Sequence, residues 1–578
     1  MVNISSYFNV FIAQKKYLFT VSLLIFACAV LFFAHLQKGD LSGESEGNYA
    51  EIPREMLQTG DWVIPQLNFV PYLEKPPLFY WLTAMTYCVL GLNAFAARFW
   101  SALPALLLVL MVFAFVRRAR GASQDGLRAT TQATQTALIL ATSAGMIAMA
   151  RISYMDMLLC LCTAGALFCF YLGEDTGRRG WYLGFFAAAG LAVLTKGLIG
   201  VVLPALAIFF YLLAQRRFST LKQWPWGWGL LLFFAITVPW HVMAGLRNDR
   251  FTWFYFVNEH WLRFLGRRMP KDYYGGSFYY QFLRVLLLFF PWSLWIPLLT
   301  MGKAREFWRD KLNRFLISWF LAFLFFYTVS KAKANYYMMP ALPALAMLVG
   351  TAMGDAFQNV SKRRAWLAAV GAILLTSTGF YALLAIFPYP ILKKMAPGSY
   401  AFLLSASFCL TGCLLGALVA AWRGRANRSF GFVVAGVMVA TFLTFAQEQL
   451  FERRGSVLPL VRLIQGNEGA DTLVVLRGPF EKDSHLAFYR GKRFTIVSDQ
   501  GDVGGDLDFG SRFPASKPYF LQWPDFLRRF GGPEKILYVT TKEDDYGELR
   551  GNHPTKCRLI GRIAYRLLIS NFPPKAFR

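Results

Sequence analysis

The sequence predicts a polytopic membrane protein whose fold class is an all-α bundle. Of the 578 residues, 56% are hydrophobic and only 16% are charged, which is far too apolar for a soluble protein of ordinary composition. Runs of apolar residues long enough to cross a hydrocarbon core of about 30 Å recur along the chain. About thirteen such runs predict transmembrane helices, near 17–36, 98–116, 132–150, 154–173, 180–195, 197–214, 225–243, 281–301, 313–330, 336–353, 363–387, 401–422 and 429–447.

The positive charge of the chain is distributed in a way that indicates topology and not a binding surface. The formal net charge is +27, and the Lys and Arg residues occur in short bursts between the apolar runs. This pattern is typical of loops on the cytoplasmic side of a membrane, and it argues against nucleic acid as a partner. The eight cysteines suggest neither a disulfide framework nor a CxxC metal pair.

A fourteenth apolar segment, 78–93, decides the predicted topology. If this segment does not cross the bilayer, the basic clusters all fall on one side, which the positive-inside rule makes cytoplasmic together with the N-terminus. The segment is then a re-entrant or interfacial helix in the first external loop, 37–97. The clusters are Lys15/Lys16, Arg117/Arg118/Arg120, Arg178/Arg179, Arg216/Arg217/Lys222, Lys303/Arg305/Arg309/Lys311, Lys362/Arg363/Arg364 and Arg423/Arg425/Arg428.

The composition changes abruptly near residue 448, which predicts a domain boundary. We expect residues 1–447 to form the transmembrane domain, with a second long external loop at 244–280. Residues 448–578 are expected to form a small α/β domain outside the membrane, on the external side, because β-rich runs alternate there with helix-like pieces. The β-rich runs are Thr472–Leu476, Phe494–Val497, Lys535–Thr540 and Arg562–Ile569.

The first external loop contains closely spaced carboxylates followed by a cation. Glu44 and Glu46 open the loop, and Glu74 and Lys75 lie near its end. Carboxylates beside a cation at a membrane surface suit a site that handles an anionic headgroup and a divalent ion. The alternative interpretation is an ordinary solvated loop.

Two charged residues interrupt apolar stretches on the same predicted side. Asp156 lies at the rim of a transmembrane helix, where a carboxylate is costly unless it is solvated or paired, so it is a functional candidate. The alternative is a short external turn in which Asp156 lies in water. Lys196 interrupts a second apolar stretch, and it either extends toward the bilayer surface or contacts a phosphate.

Further candidates lie in the long loop and in the 331–337 turn. His260 and Arg263 are spaced i and i+3, so they share one face if the segment is helical, and such a pair suits a phosphate or a metal ion. Lys331 and Lys333 are clustered on the external face, which indicates an anionic partner. These segments together provide cations for a phosphate, carboxylates for acid/base chemistry and aromatic walls. That combination favours lipid-phosphate-dependent group transfer, and no Ser-His-Asp order, Walker loop or HExxH motif competes with it.

The order and spacing of these motifs, from the first helix to about residue 350, resemble the protein O-mannosyltransferase superfamily, and most closely its bacterial aminoarabinose transferase branch. The residues that carry the resemblance are Tyr49-Ala50-Glu51, Met56, Gly60-Asp61-Trp62, Pro65, Glu74-Lys75-Pro76-Pro77-Leu78, Tyr80-Trp81, Arg151, Met155-Asp156, Thr195-Lys196-Gly197, Pro239-Trp240, Glu259-His260, Arg263-Phe264, Pro291-Trp292-Ser293, Tyr336-Tyr337, Pro340 and Pro343.

The resemblance implies a GT-C-type integral glycosyltransferase of the bacterial inner membrane. Such an enzyme transfers a sugar from a polyprenyl monophosphate carrier, with inversion, on the periplasmic face. The implied partners are the lipid bilayer, a polyprenyl phosphate-linked sugar (4-amino-4-deoxy-L-arabinose or a related sugar) and an acceptor, which is lipid A or another envelope glycolipid or protein. The expected oligomeric state is a monomer.

The resemblance also implies roles for individual residues. An acidic pair, usually Asp-Glu, opens the first loop in the family, whereas this chain has Ser45 and Glu46 there. Glu46, Glu44 and Asp156 are therefore the expected catalytic carboxylates, and Glu74 and His260 the expected ligands of a divalent ion such as Zn or Mg. The expected contacts to the carrier phosphate are Lys75, Lys196, Arg263, Lys331, Lys333 and Tyr337.

Three alternatives remain from the sequence. Intramembrane charges and interrupted helices also mark transporters and flippases of polyprenyl-linked sugars. Against that interpretation, the sequence shows no internal repeat, and the charges lie at one face of the bilayer. A protein O-mannosyltransferase-like enzyme is the second alternative, and an inactive family member or scaffold, which Ser45 favours, is the third.

Overall fold

A computed structural model describes residues 4–41, 44–121, 126–270, 275–301, 304–354, 360–386, 399–446, 456–498 and 507–574. Within these ranges the residues up to 446 are mainly helical, and the first loop contains a small hairpin, β1 (Gln66–Leu67) and β2 (Val70–Pro71). Its helices are α1 (Ile4–Cys28), α2 (Glu44–Thr59), α3 (Leu78–Leu90), α4 (Ala94–Gly121), α5 (Gly126–Ala141), α6 (Ala144–Ala150), α7 (Asp156–Thr176), α8 (Arg179–Lys196), α9 (Ile199–Gln215), α10 (Trp226–Arg247), α11 (Tyr280–Leu288), α12 (Ala304–Arg309), α13 (Lys311–Val329), α14 (Leu342–Met353), α15 (Val360–Ile386), α16 (Ser399–Trp422) and α17 (Ala426–Ala446).

The described helices confirm a multi-span membrane bundle but not the predicted number of spans. Seven helices are long and apolar enough to cross a membrane, and the number rises to nine if two bent pairs each count as one span. The seven lie in α4, α7, α10, α13, α15, α16 and α17. Several predicted spans form shorter apolar helices. For example, Gly197 has a φ of 92° and separates α8 from α9, which is only 17 residues long.

Two predicted spans are sharply bent, and their breaks contact each other. α5 and α6 meet at 61°, and α11 meets the 3₁₀-helix Trp292–Thr300 at 109°. The Ala144 amide donates to the Phe290 carbonyl at 2.8 Å, and the Trp292 indole donates to the Thr142 hydroxyl at 2.9 Å. Polar groups that the two breaks release are thereby satisfied inside apolar surroundings, as a membrane interior requires.

The segment after residue 456 contains a mixed sheet of six strands in the order β5-β4-β3-β6-β8-β7. The first four pair in parallel and the last two complete the sheet in antiparallel fashion. β3, β4 and β6 coincide with predicted strands, whereas the predicted run 562–569 spans the end of β7, the turn that follows and most of β8. The bounds are α18 (Leu458–Asn467), β3 (Thr472–Arg477), α19 (Ser484–Arg490), β4 (Thr495–Ser498), α20 (Asp508–Ser511), β5 (Phe520–Gln522), α21 (Trp523–Gly531), β6 (Lys535–Thr540), α22 (Glu543–Asn552), β7 (Arg558–Ile563) and β8 (Arg566–Ser570).

The first loop is fastened to this sheet region by buried contacts. Asn68 lies at the tip of the β1–β2 hairpin, where its side chain donates to the Phe494 carbonyl at 2.9 Å and accepts from the Phe494 amide at 2.8 Å. α2 packs along α19. At Gly47 the two backbones approach so closely that a Cβ would lie 2.6 Å from the His485 amide nitrogen. The loop that carries Lys75 is therefore held by the C-terminal segment.

We expect Gly47→Ala to weaken this docking. The added methyl group would meet the backbone of α19, and overpacking of this kind costs about 1–3 kcal/mol. Thermal unfolding of the purified protein in detergent measures the loss. Gly371→Ala is the matched control, because a Cβ there meets nothing within 4 Å. Equal stability of the two variants would contradict the close packing of α2 on α19.

Candidate active site

A cavity of about 90 Å³ lies where the first loop, the long loop and the ends of α8 and α13 meet. The side of the cavity wall that the two loops form is polar. Another side is aromatic, because it is lined by Phe264, Phe326 and Tyr327. Six residues that the sequence nominated line it: Glu74, Lys75, Lys196, His260, Arg263 and Tyr337. The structure therefore brings together residues that are up to 263 positions apart in the chain.

Glu259 is the centre of the charged wall. Its carboxylate accepts hydrogen bonds from Lys75 and Arg263 on one oxygen, and from Arg268 at 2.7 Å on the other. Burial alone would raise the pKa of Glu259, but the charges of Arg263, Lys75 and Arg268 hold its pKa well below the usual range. Glu259 is therefore an anion that fixes two cations at the cavity, Lys75 and Arg263, and also binds Arg268, which does not line the cavity.

Glu74 forms the second anionic point of the wall. One of its oxygens accepts from Arg268, and the other accepts from the Tyr72 hydroxyl at 3.3 Å and lies 3.6 Å from the Lys75 ammonium. Lys75, Glu74, Glu259 and Arg268 are all at least 90% buried. Because buried charges are stable only when they are paired, each member of this cluster depends on the others.

Asp156 and Lys196 form a second buried ion pair, with 2.5 Å between the carboxylate and the ammonium. The other Asp156 oxygen, Oδ2, is buried and has no hydrogen-bond partner among the described residues. The Lys196 ammonium also lies 4.9 Å from the Tyr336 ring centre and 5.6 Å from that of Tyr337. Asp156 thus retains one carboxylate oxygen that is able to accept a proton.

His260 supports the cavity wall through both ring nitrogens. Nε2 accepts from the Leu198 amide at 3.1 Å, so Nδ1 carries the proton and donates to the Tyr255 carbonyl at 2.6 Å. Burial lowers the pKa of His260, and the cations at the cavity act in the same direction. The imidazole packs so closely on Gly197 that a Cβ there would lie 2.2 Å from Nε2. This contact explains the glycine that follows Lys196.

The remaining nominated residues lie elsewhere. Glu46 is buried in a salt bridge to Arg98 at 2.8 Å and accepts from the Ser153 amide at 3.0 Å, so it joins α2 to α4. Lys333 donates to the Tyr327 and Thr328 carbonyls at 2.7 Å each, at the C-terminal end of α13. Lys331 is exposed. The side chain of Glu44 lies outside the described residues. The roles assigned to these four residues stay predictions.

Sequence reasoning missed Arg268, which bridges Glu74 and Glu259. The π-helical segment Trp253–Leu262 ends in a tight turn in which the Arg267 amide donates to the Leu262 carbonyl at 2.7 Å. Gly266 adopts a φ of 72° in this turn, which favours glycine. The chain reverses there and returns Arg268 to Glu259. The signal in the sequence was the Gly266-Arg267-Arg268 string soon after Glu259.

The two predicted metal ligands do not fit a divalent ion in this arrangement. Both nitrogens of His260 and both oxygens of Glu74 already have partners, whereas a metal ion needs lone pairs that are not engaged. Within the described part of the chain, no group of three or more His, Cys, Asp or Glu side chains could hold a metal. The expected divalent ion stays a prediction.

Residues 74–243 match the family model described as dolichyl-phosphate-mannose-protein mannosyltransferase. Over this segment the chain is therefore similar to the family that the resemblance indicated. The fold is also that of ArnT from Cupriavidus metallidurans. The crystal structure of that protein bound to undecaprenyl phosphate has a TM-score of 0.79 and 24% sequence identity, over 96% of this chain and 98% of the other.

Two similar proteins are named undecaprenyl phosphate-alpha-4-amino-4-deoxy-L-arabinose arabinosyl transferase. The relative from Pseudomonas paraeruginosa is 29% identical over 91% of this chain and 94% of its own length. The relative from Pectobacterium atrosepticum is 28% identical over 91% of this chain and 93% of its own length. Both similarities extend through nearly the whole chain, beyond the segment on which the resemblance rested.

We expect Glu259→Gln to destabilise the protein by about 3 kcal/mol or more, because it leaves three cations around an uncharged amide. The folded pKa of Glu259 is depressed, so its contribution is present above the unfolded pKa and is lost as the pH falls through the folded pKa. The gap in melting temperature between the wild type and the variant should therefore persist down to about pH 4 and close only at lower pH.

Thermal unfolding in detergent from neutral to acidic pH measures this gap. Glu543→Gln is the control, because it removes an exposed ion pair to Arg562, and such pairs contribute little. A gap that closes well above the ordinary carboxyl range would contradict the depressed pKa of Glu259.

Proposed function

We propose that this protein is an integral membrane glycosyltransferase that takes a sugar from undecaprenyl phosphate and delivers it to an envelope acceptor. The observation that carries the proposal is the cavity wall on which Glu259 holds Lys75 and Arg263, while its other oxygen binds Arg268. The names of the relatives favour 4-amino-4-deoxy-L-arabinose as the sugar. They also favour a transferase over a transporter.

The charge of the wall matches the change that the reaction produces. Around the cavity, the three cations Lys75, Arg263 and Arg268 face the two carboxylates Glu74 and Glu259, while Asp156 and Lys196 compensate each other. The wall therefore has one positive charge in excess. A sugar phosphodiester carries one negative charge, and the departing polyprenyl phosphate approaches two. Cations fixed in advance around a developing charge stabilise it preferentially in the transition state.

The transfer step is a displacement at the anomeric carbon with inversion. The acceptor oxygen forms a bond to that carbon while the bond to the carrier phosphate breaks, and the electron pair leaves on the phosphate oxygen. In this proposal Lys75 and Arg263, which line the cavity, neutralise that oxygen. If the acceptor is a hydroxyl group, the open oxygen of Asp156 is the base that receives its proton. A phosphate acceptor is already anionic and needs only orientation.

The acceptor in this proposal is lipid A or another envelope glycolipid. A protein acceptor is the second candidate, and the description of the matched family as protein mannosyltransferases favours it. We propose that the protein acts as a monomer.

The proposed topology places the site at the periplasmic face of the inner membrane. It has thirteen spans, a cytoplasmic N-terminus and a periplasmic α/β domain after residue 448, and it follows from the one-sided basic clusters. Alkaline phosphatase fused after Pro574 should therefore be active, and the same fusion after Arg216 should be inactive. Green fluorescent protein at the same two positions should give the opposite pattern. Phosphatase activity at Arg216 and fluorescence at Pro574 would contradict the proposal.

We expect Lys75→Ala and Asp156→Asn to abolish transfer. The first change removes a cation from the carrier phosphate, and the second disrupts the pair with Lys196; a preorganised charge of this kind contributes about 100-fold or more to the rate. The assay supplies purified protein in detergent with a labelled polyprenyl-phosphate sugar and either lipid A or a peptide acceptor. Transfer without a membrane excludes transport as the activity.

Arg267→Ala is the matched control, because Arg267 is exposed beside the site and should retain normal transfer. The choice of acceptor separates the two candidate functions. Unchanged transfer by both Lys75→Ala and Asp156→Asn would remove this assignment of the site.

A further inference from the structure

Arg268 occupies an unusual place between two buried carboxylates from distant parts of the chain. Its Nε donates to one Glu259 oxygen at 2.7 Å, and its Nη2 donates to one Glu74 oxygen. The third nitrogen donates to the Pro270 carbonyl at 3.1 Å. All three guanidinium nitrogens are therefore engaged, and the side chain is only 5% exposed.

The surrounding chain fixes Arg268 in this position. Asn258, which is fully buried, accepts from the Met269 amide at 2.9 Å and donates to the Met269 carbonyl at 2.7 Å. The turn at Gly266 closes the other side, and a Cβ there would lie 2.9 Å from Lys331 Cβ. Arg268 is thus held from both flanks and is not a surface side chain that happens to reach an acid.

Two buried carboxylates that face one site require a cation between them, and proteins supply either a metal ion or a basic side chain. Glu74 was expected to bind a divalent ion, yet its nearest cationic partner is Arg268. We propose that Arg268 is the resident cation of this site, which takes the place of a divalent ion between Glu74 and Glu259. Transfer by this protein is therefore independent of added metal.

The role of Arg268 is to position other groups. It orients Glu259, whose other oxygen holds Lys75 and Arg263 at the cavity, and it supplies the positive charge in excess. Without Arg268, Glu74 and Glu259 would face each other with only Lys75 and Arg263 as compensation. The two carboxylates would then have lone pairs available to a cation from solution.

The first test needs no transfer assay, although the role of Arg268 in positioning rests on the proposed function. Elemental analysis of the purified protein after dialysis against zinc should find substoichiometric zinc in the wild type and in Arg267→Ala, and more zinc in Arg268→Ala. This measurement remains valid if the proposed reaction is wrong. Zinc bound stoichiometrically by the wild type and lost in Glu74→Gln would overturn the proposal.

The second test uses transfer of the labelled sugar. We expect Arg268→Ala to lower transfer about tenfold or more, as losses of supporting contacts do, and millimolar guanidinium or a divalent ion to restore part of it. Arg268→Lys, which keeps one cation, should fall between Arg268→Ala and the wild type. EDTA should leave the wild type unaffected. Guanidinium and divalent ions should not change Arg267→Ala.

Three outcomes would overturn the proposal. The first is a wild type that EDTA inactivates and zinc restores. The second is a folded Arg268→Ala variant that transfers sugar as well as Arg267→Ala. The third is a folded Arg268→Ala variant that neither guanidinium nor a divalent ion restores, because Arg268 would then act through packing alone. If Arg268→Ala does not fold, Arg268→Lys and the EDTA response of the wild type decide the question.

Discussion

The pairing of one buried carboxylate, Glu259, with several cations is the interaction on which the site depends. A carboxylate removed from water is costly unless donors surround it, and the same holds for each buried Lys or Arg. Lys75 comes from the first loop, whereas Arg263 and Arg268 come from the long loop, so Glu259 also joins two segments that are far apart in sequence. The contacts that compensate the charge of Glu259 are therefore the same contacts that bring the two loops together at the cavity.

This constraint determines how an anionic ligand can bind. Under the proposed function the cations are already in place, so a carrier phosphate would not have to order flexible side chains, but it would compete with Glu259 for Lys75 and Arg263. Competition weakens binding of the singly charged donor. As the phosphate gains a second charge during transfer, its share of the two cations grows, and that increase is expressed in the transition state. An internal anion thus makes the site selective for the charge that the reaction creates.

Sequence patterns predicted which residues lie together at the cavity, but they did not predict the hydrogen-bond partners of some of these residues. Lys75, His260 and Arg263 could be nominated because hydropathy and the positive-inside rule assign whole loops to one face of the bilayer. Arg268 could not, because its partner Glu74 is 194 positions away and a reverse turn brings it back. The same rule counts Lys333 only as a cation, whereas the structure uses it on carbonyl groups at the end of a helix. The bend between α5 and α6 was missed for a similar reason, since hydropathy does not register backbone direction.

Ser45 stands where the resembled family usually has an Asp, and the contacts of Glu46 and Asp156 are consistent with this difference. By the resemblance, Glu46 stands at one of the two acidic positions, but Arg98 and the Ser153 amide engage its carboxylate, and its burial ties α2 to the core. Within the described residues, Asp156 is then the nominated carboxylate with an open oxygen. One base is enough for a hydroxyl acceptor, and an anionic acceptor needs none. A serine at position 45 therefore removes an acid that the proposed transfer to a phosphate group would not use.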